Sequence, residues 1–109
     1  MAPGSVAEFE LLVLLAAVRL GPEEAYTVSI ADLIERRTGR SVRRANVHAT
    51  LHRLESKGLV STRLGDPRPE RGGKPRRLVT VRAEGRAALR ATTSAIRKMS
   101  LGLDEVIGG

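Results

Sequence analysis

The chain has 109 residues, enough for one small domain whose core a second copy of the chain often completes. It contains no cysteine, which excludes disulfides, thiolate catalysis and cysteine-ligated zinc. The net charge is +7, but the charge is unevenly spread: residues 36–98 hold eighteen Lys or Arg against four acids, while residues 1–35 and 99–109 are net acidic.

A basic middle between acidic ends is a localised electrostatic footprint, which favours a nucleic-acid partner. With one Tyr and one Phe, the chain lacks the aromatic side chains that stack on single strands and on most RNA targets. We therefore expect double-stranded DNA as the partner. The N-terminus has no basic leader, and the apolar run Leu11 to Val18 is too short to span a bilayer, so we expect a cytoplasmic protein without a membrane partner.

The first helix is predicted over residues 8–20, which are rich in helix formers and end at Gly21-Pro22. Its apolar residues run nearly all round the helix. One layer of protein cannot cover so wide a surface, so we expect part of it to face the core and part, including Leu12 and Leu15, to face a partner subunit.

A second helix is predicted over about Val28 to Arg37, and Thr38-Gly39 closes it. Residues 39–42 form the short turn to the third helix, and two helices joined so tightly make a helix-turn-helix. Ser41 either caps the third helix or is a turn residue. The predicted buried side of the second helix consists of Ile30, Ala31, Leu33 and Ile34.

The third helix lies within residues 43–60 and carries one narrow apolar stripe, formed by Val47, Leu51 and Leu54, before Gly58 ends it. Its other faces carry side chains of the kinds that read bases and contact phosphates in a major groove. Small Ala45 and Ala49 between them allow close approach. The predicted DNA-binding residues of this recognition helix are Arg43, Arg44, Asn46, His48, His52 and Arg53.

Residues 59–64 and 77–82 alternate and are rich in β-branched side chains, so they predict a two-stranded hairpin. Residues 65–76 between them hold three prolines, three glycines and four basic residues. A hairpin with such a tip, after a helix-turn-helix, is a wing that suits phosphates and the narrow minor groove. Gly72-Gly73 lacks the sequence and helix of a nucleotide-phosphate loop. The predicted wing contacts are Arg68, Arg71, Lys74, Arg76 and Arg77.

A last helix is predicted over residues 83–107, with a short heptad seam that favours pairing between two copies of the chain. The seam is weak at its start, where Thr92 occupies a seam position, and the alternative is packing onto the first helix of the same chain. The expected dimer interface comprises Leu12 and Leu15 of the first helix and Leu89, Ile96, Met99, Leu103 and Val106 of the last.

The expected fold is therefore mostly α with a small β-hairpin, an α+β winged helix-turn-helix. Residues 1–82 form the DNA-binding domain, with the wing at residues 59–82. Residues 83–109 form a C-terminal dimerisation helix that packs with helix 8–20. A two-fold dimer of this kind predicts a palindromic operator.

Four segments resemble the PadR-like transcriptional regulators, winged-helix proteins of bacteria: EFELLVLL at 8–15, ATLHRLESKGLV at 49–60, ERGGKPRR at 70–77 and AEGR at 83–86. The match from helix to wing is the most specific. The resemblance implies a DNA-binding homodimer that usually represses and that releases DNA when a small molecule binds, commonly near the dimer interface. The chain departs from the family at His48, where Tyr is usual, and at Leu78 and Val79, where aromatics are usual.

Two other classes of function compete with this interpretation. His48 and His52 lie four apart on one helix, as in metal pairs, with Glu55 close to the same face, but the Glu of a His-Glu-x-x-His motif is missing. Because of the His48–His52 pair, a metal-binding or catalytic protein is the first alternative. A winged helix used only for protein contact is the second, and it would leave the basic loop without a purpose. We expect no cofactor, no metal and no enzymatic activity.

Overall fold

The computed structural model describes residues 6–66 and 75–108. Helices α1 (Glu8–Leu20), α2 (Thr27–Thr38) and α3 (Arg44–Ser56) pack on one another and are followed by strands β1 (Val60–Leu64) and β2 (Arg77–Val81). The strands form a two-stranded antiparallel sheet in which Val60 pairs with Val81 and Leu64 with Arg77. This confirms the expected fold class. None of the described helices is both long and apolar enough to cross a membrane.

The core lies where α1, α2 and α3 meet the inner face of the hairpin. The stripe predicted on α3 is confirmed, because Val47, Leu51 and Leu54 are all buried. The predicted buried side of α2 is confirmed for three of its four residues, whereas Leu33 is only partly buried. The largest fully buried side chains are Leu14, Ile30, Leu54, Val13, Val47, Val60, Val79 and Thr50.

The turn between α2 and α3 is held by hydrogen bonds that the backbone N–H groups of Gly39 and Val42 donate to Glu35. Gly39 adopts a left-handed conformation, with φ of 75°, and its N–H donates to the Glu35 carbonyl oxygen. The Glu35 carboxylate then accepts a hydrogen bond of 2.8 Å from the Val42 N–H. Helix α3 follows an N-cap at Arg43 without a side-chain capping bond, so Ser41 is a turn residue. These bonds set the short connection that places α3 against α2.

The last helix is not continuous, which corrects the prediction of one helix over residues 83–107. Helix α4 (Ala83–Ser100) ends before Gly102, whose φ is 80°, and a separate helix α5 (Leu103–Ile107) follows. A glycine in the left-handed region ends a helix readily. Leu103 and Val106 therefore do not continue the straight seam of α4.

The predicted seam residues have unlike surroundings. Leu89 lies in the core of its own chain, so its assignment to a dimer interface is corrected. Four others are exposed: Ile96 by 51%, Met99 by 84%, Leu103 by 38% and Val106 by 79%. Helix α4 is thus packed only at its start, and its second half projects an uncovered apolar surface.

At Gly85, α4 lies close to the backbone at the start of the hairpin. A Cβ at this position would collide with the Leu59 carbonyl oxygen and would lie 2.9 Å from Val81 Cγ1. The Leu59 carbonyl oxygen also accepts a hydrogen bond of 2.9 Å from the Arg82 N–H. The backbone at Leu59, just before β1, therefore cannot retreat without breaking the bond that starts α4.

We expect Gly85→Ala to lower the free energy of unfolding by about 1–3 kcal/mol, because the added methyl group overpacks this contact. Helix propensity alone predicts the opposite sign, a gain of about 1 kcal/mol. Urea denaturation measures the difference. Ala87→Gly, on an exposed position of the same helix, is the control and should lose about 1 kcal/mol from propensity alone. A more stable Gly85→Ala variant would contradict the packing described.

Candidate nucleic-acid interface

The burial of one stripe of α3 determines which residues its opposite face presents to solvent. That face has small side chains along its middle, and we call it the reading face; it consists of Ala45, Asn46, His48, Ala49, His52, Arg53 and Ser56, all exposed. Small residues along the middle let the helix backbone approach a groove closely. Polar side chains on both flanks can then reach base edges or phosphates.

Asn46 and Arg53 lie together on one flank of the reading face. With Ala49, Thr50 and Phe9 they line a shallow cavity of about 290 Å³. The Arg53 guanidinium donates a hydrogen bond of 3.0 Å to Thr50 Oγ1. Arg53 is therefore oriented before any ligand arrives, while the exposed Asn46 can pair with a base in the bidentate geometry that suits adenine.

His48 and His52 lie on the other flank, where they line a cleft of about 370 Å³ between α3 and the hairpin. One hydrogen bond of 3.1 Å joins the two elements across this cleft, from the Thr62 hydroxyl to Glu55 Oε2. Within the hairpin, the same hydroxyl accepts a hydrogen bond of 3.1 Å from Arg77 Nη1. Arg77 is exposed and lines the same cleft as His48 and His52, and its contact with DNA stays a prediction.

The metal alternative also depends on this cleft, because His48, His52 and Glu55 all line it. Within residues 6–66 and 75–108, however, no group of three or more His, Cys, Asp or Glu side chains is arranged to hold a metal ion. The shared cleft therefore adds no support for a metal site.

The predicted wing residues divide into three groups. Arg68, Arg71 and Lys74 lie outside the described residues. Arg77 is exposed, but Arg76 is buried, with its guanidinium carbon 4.9 Å from the centre of the Tyr26 ring and Nη1 3.9 Å from Glu24 Oε2. The Arg76 side chain thus packs at the base of the wing against the start of α2, which corrects its assignment as a phosphate contact.

Arg43 and Arg44 lie at the start of the recognition helix, Arg43 as the N-cap and Arg44 as the first helical residue, and both are exposed. In helix-turn-helix proteins the N-terminal part of this helix reads base edges. All six predicted residues of the recognition helix are therefore on its accessible surface.

Glu10 is a residue that the sequence analysis missed, and it joins α1 to the end of α3. The residue is 4% exposed, and its carboxylate accepts hydrogen bonds of 2.8 and 3.0 Å from Lys57 Nζ and of 2.9 Å from the Ala7 N–H. Arg53 Nε lies 3.8 Å from it. The available signal was an acid within an otherwise apolar helix, three residues after the N-cap, where a carboxylate bonds the cap backbone.

The environment of Glu10 favours its charged form. Burial raises the pKa of the carboxyl, but the hydrogen bonds from Lys57 and Ala7 and the charges of Lys57 and Arg53 outweigh burial, so the pKa lies below its ordinary value of 4.5. Because the folded-state pKa is the lower one, the carboxylate stabilises the fold above the ordinary value. That contribution is lost as the pH falls through the folded-state pKa.

We expect Glu10→Gln to lower the free energy of unfolding by about 1–2 kcal/mol near neutral pH, since charged hydrogen bonds are replaced by weaker ones to a half-exposed partner. The difference in unfolding free energy between the variant and the unsubstituted protein should shrink as the pH falls from 4.5 through the lower folded-state pKa, because the unfolded chain binds the Glu10 proton first. Urea denaturation at several pH values measures both effects.

Glu8→Gln is the matched control, because Glu8 is exposed and its ion pair with Arg40, at 2.6 Å, lies on the surface. It should change stability by less than about 0.5 kcal/mol at any pH. Equal losses in the two variants, or a gap for Glu10→Gln that does not depend on pH, would contradict the role assigned to Glu10.

Comparison with known proteins gives one family. A model of the transcriptional regulator PadR-like family matches residues 14–91, which include α2, α3, the hairpin and the start of α4. No curated protein matches the sequence.

Solved structures share the fold. The chain is similar to a PadR family transcriptional regulator from Eggerthella lenta, with TM-score 0.69 and 24% identity over 92% of this chain and 86% of that one. It is also similar to a PadR family transcription regulator from Clostridium difficile, with TM-score 0.72 and 17% identity over 94% and 100%. A PadR-like transcriptional regulator from Bacillus cereus gives TM-score 0.71 and 15% identity over 91% and 93%.

Proposed function

The chain belongs to the PadR-like family of transcriptional regulators, and we propose that it is a cytoplasmic repressor that binds a palindromic operator as a homodimer. Membership of the family supports DNA-binding regulation of transcription. The observation that supports the proposal most directly is the reading face of α3, which is exposed along its whole length because the opposite stripe is buried. Repression is the role that the family resemblance implies.

Charge supports duplex DNA as the partner. The exposed Arg43, Arg44 and Arg77 surround the reading face, and further basic residues follow in the wing loop between β1 and β2. Contacts to phosphates give affinity without sequence information, whereas contacts to base edges give specificity. We therefore assign base reading to α3 and phosphate binding chiefly to the wing.

A homodimer is supported by the uncovered apolar surface of the second half of α4. Ile96 and Met99 are exposed there, and Leu12 and Leu15 on α1 are only partly buried. Two-fold symmetry would place two copies of α3 in successive major grooves, with half-sites about 10 base pairs apart or a multiple of that. An effector that releases DNA would bind at this subunit interface, as the family resemblance implies.

We expect Asn46→Ala to cost about 1–3 kcal/mol of binding free energy on the operator and little on random DNA, because it removes a base contact. Arg71→Ala should weaken binding to both alike and reduce the slope of log K against log salt by about one for each phosphate that the variant no longer binds. If a dimer contacts about six phosphates, the slope for the unsubstituted protein is about −5. Titrations of operator and scrambled duplexes at several salt concentrations measure the effects of both substitutions and the salt slope of the unsubstituted protein.

Selection from a random duplex pool supplies the operator for this experiment. Should Arg71→Ala abolish discrimination while Asn46→Ala preserves it, the wing reads the sequence and the assigned roles are reversed. Affinity for duplex DNA that does not respond to salt would contradict DNA binding through this basic surface.

For the homodimer, we expect Ile96→Glu to dissociate the pair, because the two-fold axis buries the new charge twice at a cost of several kcal/mol. Ala91→Glu, on an exposed part of α4 away from the Ile96 side, is the control and should leave the dimer intact. Light scattering over a range of concentrations measures the assembly. A monomer before any substitution would contradict the proposed homodimer.

A further inference from the structure

Thr50 is a polar residue on the buried side of α3. It is 1% exposed, and the other buried residues of this helix are Val47, Leu51 and Leu54. A valine has nearly the same shape and would fill the space without a hydroxyl that needs a partner. Within the described part of the chain, the Thr50 hydroxyl forms one hydrogen bond, which it accepts from Arg53 Nη2 at 3.0 Å. Core packing therefore does not account for the hydroxyl, whereas its contact with Arg53 does.

The Arg53 guanidinium also lies beside the buried carboxylate of Glu10. Arg53 Nε is 3.8 Å from Glu10 Oε2, which is too far for a hydrogen bond, and the carboxylate already accepts bonds from Lys57 and Ala7. Glu10 thus attracts the guanidinium without binding it directly. Because Nε and Nη2 form one edge of the planar group, Thr50 and Glu10 hold the same edge of Arg53.

The second edge of the Arg53 guanidinium, formed by Nη1 and the other N–H of Nη2, is available to a ligand. The side chain is 58% exposed, and Nη1 forms no hydrogen bond or ion pair with residues 6–66 or 75–108. This edge presents two parallel N–H groups. That geometry matches the O6 and N7 acceptors of a guanine in the major groove.

The helix backbone around Arg53 can approach the floor of a groove. Ala49 lies one turn before Arg53 and Ser56 one turn after it, and both are small and exposed on the reading face. An arginine that is oriented before binding loses less entropy when it binds. Orientation matters more for a base than for a phosphate, because the edge of a base is read in one plane. The surroundings of Arg53 therefore favour a contact with a base.

We propose that Thr50 is a positioning residue that, together with Glu10, holds Arg53 to read one guanine in each half-site of the operator. The inference rests on the proposed function and names a residue that determines specificity without touching DNA. The Thr50 hydroxyl and the charge of Glu10 act on one edge of Arg53. The opposite edge donates to guanine O6 and N7. A preference at one base pair thus depends on a hydroxyl that is buried in the protein.

Titrations on the selected operator and on its single-base-pair variants test this role. Arg53→Met should remove the preference for guanine at one base pair of each half-site, a loss of at least about fivefold. Thr50→Val should lower the preference at the same base pair at least about threefold and should keep the preferences at the other base pairs. The two substitutions together should cost no more than Arg53→Met alone, because both act on one contact.

Two further comparisons separate positioning from a general effect on the fold. Thr50→Ser should keep the guanine preference, and Thr50→Cys should lose it, because these two variants differ only in the atom that accepts from Arg53. The matched control is Thr93→Val, since the Thr93 hydroxyl donates to the Leu89 carbonyl oxygen within α4 rather than to a residue of the reading face. This control should keep every preference.

A change in the DNA tests the contact with the protein unaltered. The base 7-deazaguanine lacks the N7 acceptor and still pairs with cytosine. Placed at the base pair that Arg53→Met identifies, it should weaken binding of the unsubstituted protein at least about threefold. Binding of Arg53→Met should not be weakened by it, and Thr50→Ser should respond as the unsubstituted protein does.

The outcomes distinguish this inference from the function on which it rests. A guanine preference that Thr50→Val and Thr50→Cys both keep overturns it, as does a loss that is equal at every base pair. It is also overturned if Arg53→Met weakens all duplexes alike and lowers the salt slope, since Arg53 then binds a phosphate. Each of these results leaves DNA binding standing. An unsubstituted protein that selects no operator from the random pool overturns the proposed function itself.

Discussion

The burial of Val47, Leu51 and Leu54 against the core is the constraint on which the arrangement of this molecule depends. Each such side chain contributes about 1.5–3 kcal/mol when it is fully removed from water. A rotation of α3 about its axis would expose them together, so the orientation of the helix is fixed by its apolar side. The residues available to DNA are therefore decided by a packing interaction that involves none of them.

The position of α3 along its axis is held by a different kind of interaction. The buried carboxylate of Glu10 bonds Lys57 just after the helix ends and lies near Arg53 within it. A buried charge that loses its partner is costly, so α1 and the end of α3 are held in one relative position. Lys57 is also a cation that would otherwise attract phosphates. The bonds to Glu10 thus fix the position of the helix and engage the positive charge of Lys57. They also connect the end of α3 to α1, the helix proposed to face a second copy.

Much of the fold could be predicted from the sequence because its signals are local. The bounds of α1, the stripe of α3 and the two strands follow from periodicity and from glycine positions. Features that depend on distant residues could not be found in this way. Arg76 was predicted as a wing contact because composition does not show that Tyr26 lies beneath it, and no role was predicted for Glu10 because its partner Lys57 is 47 positions away. The break at Gly102 had a local signal, but the heptad pattern around it favoured a continuous helix.

We propose that duplex DNA is read by the face of α3 opposite its buried stripe. The most direct test is a nuclear magnetic resonance titration of the isotope-labelled protein with an operator duplex selected from a random pool. We expect the largest amide shift changes at Ala45, Asn46, Ala49 and Arg53. The changes along the wing should be smaller, and those in the buried stripe should be no larger than the changes at neighbouring residues. Saturable binding with shift changes confined to α4 and α5, and none on α3, would contradict it.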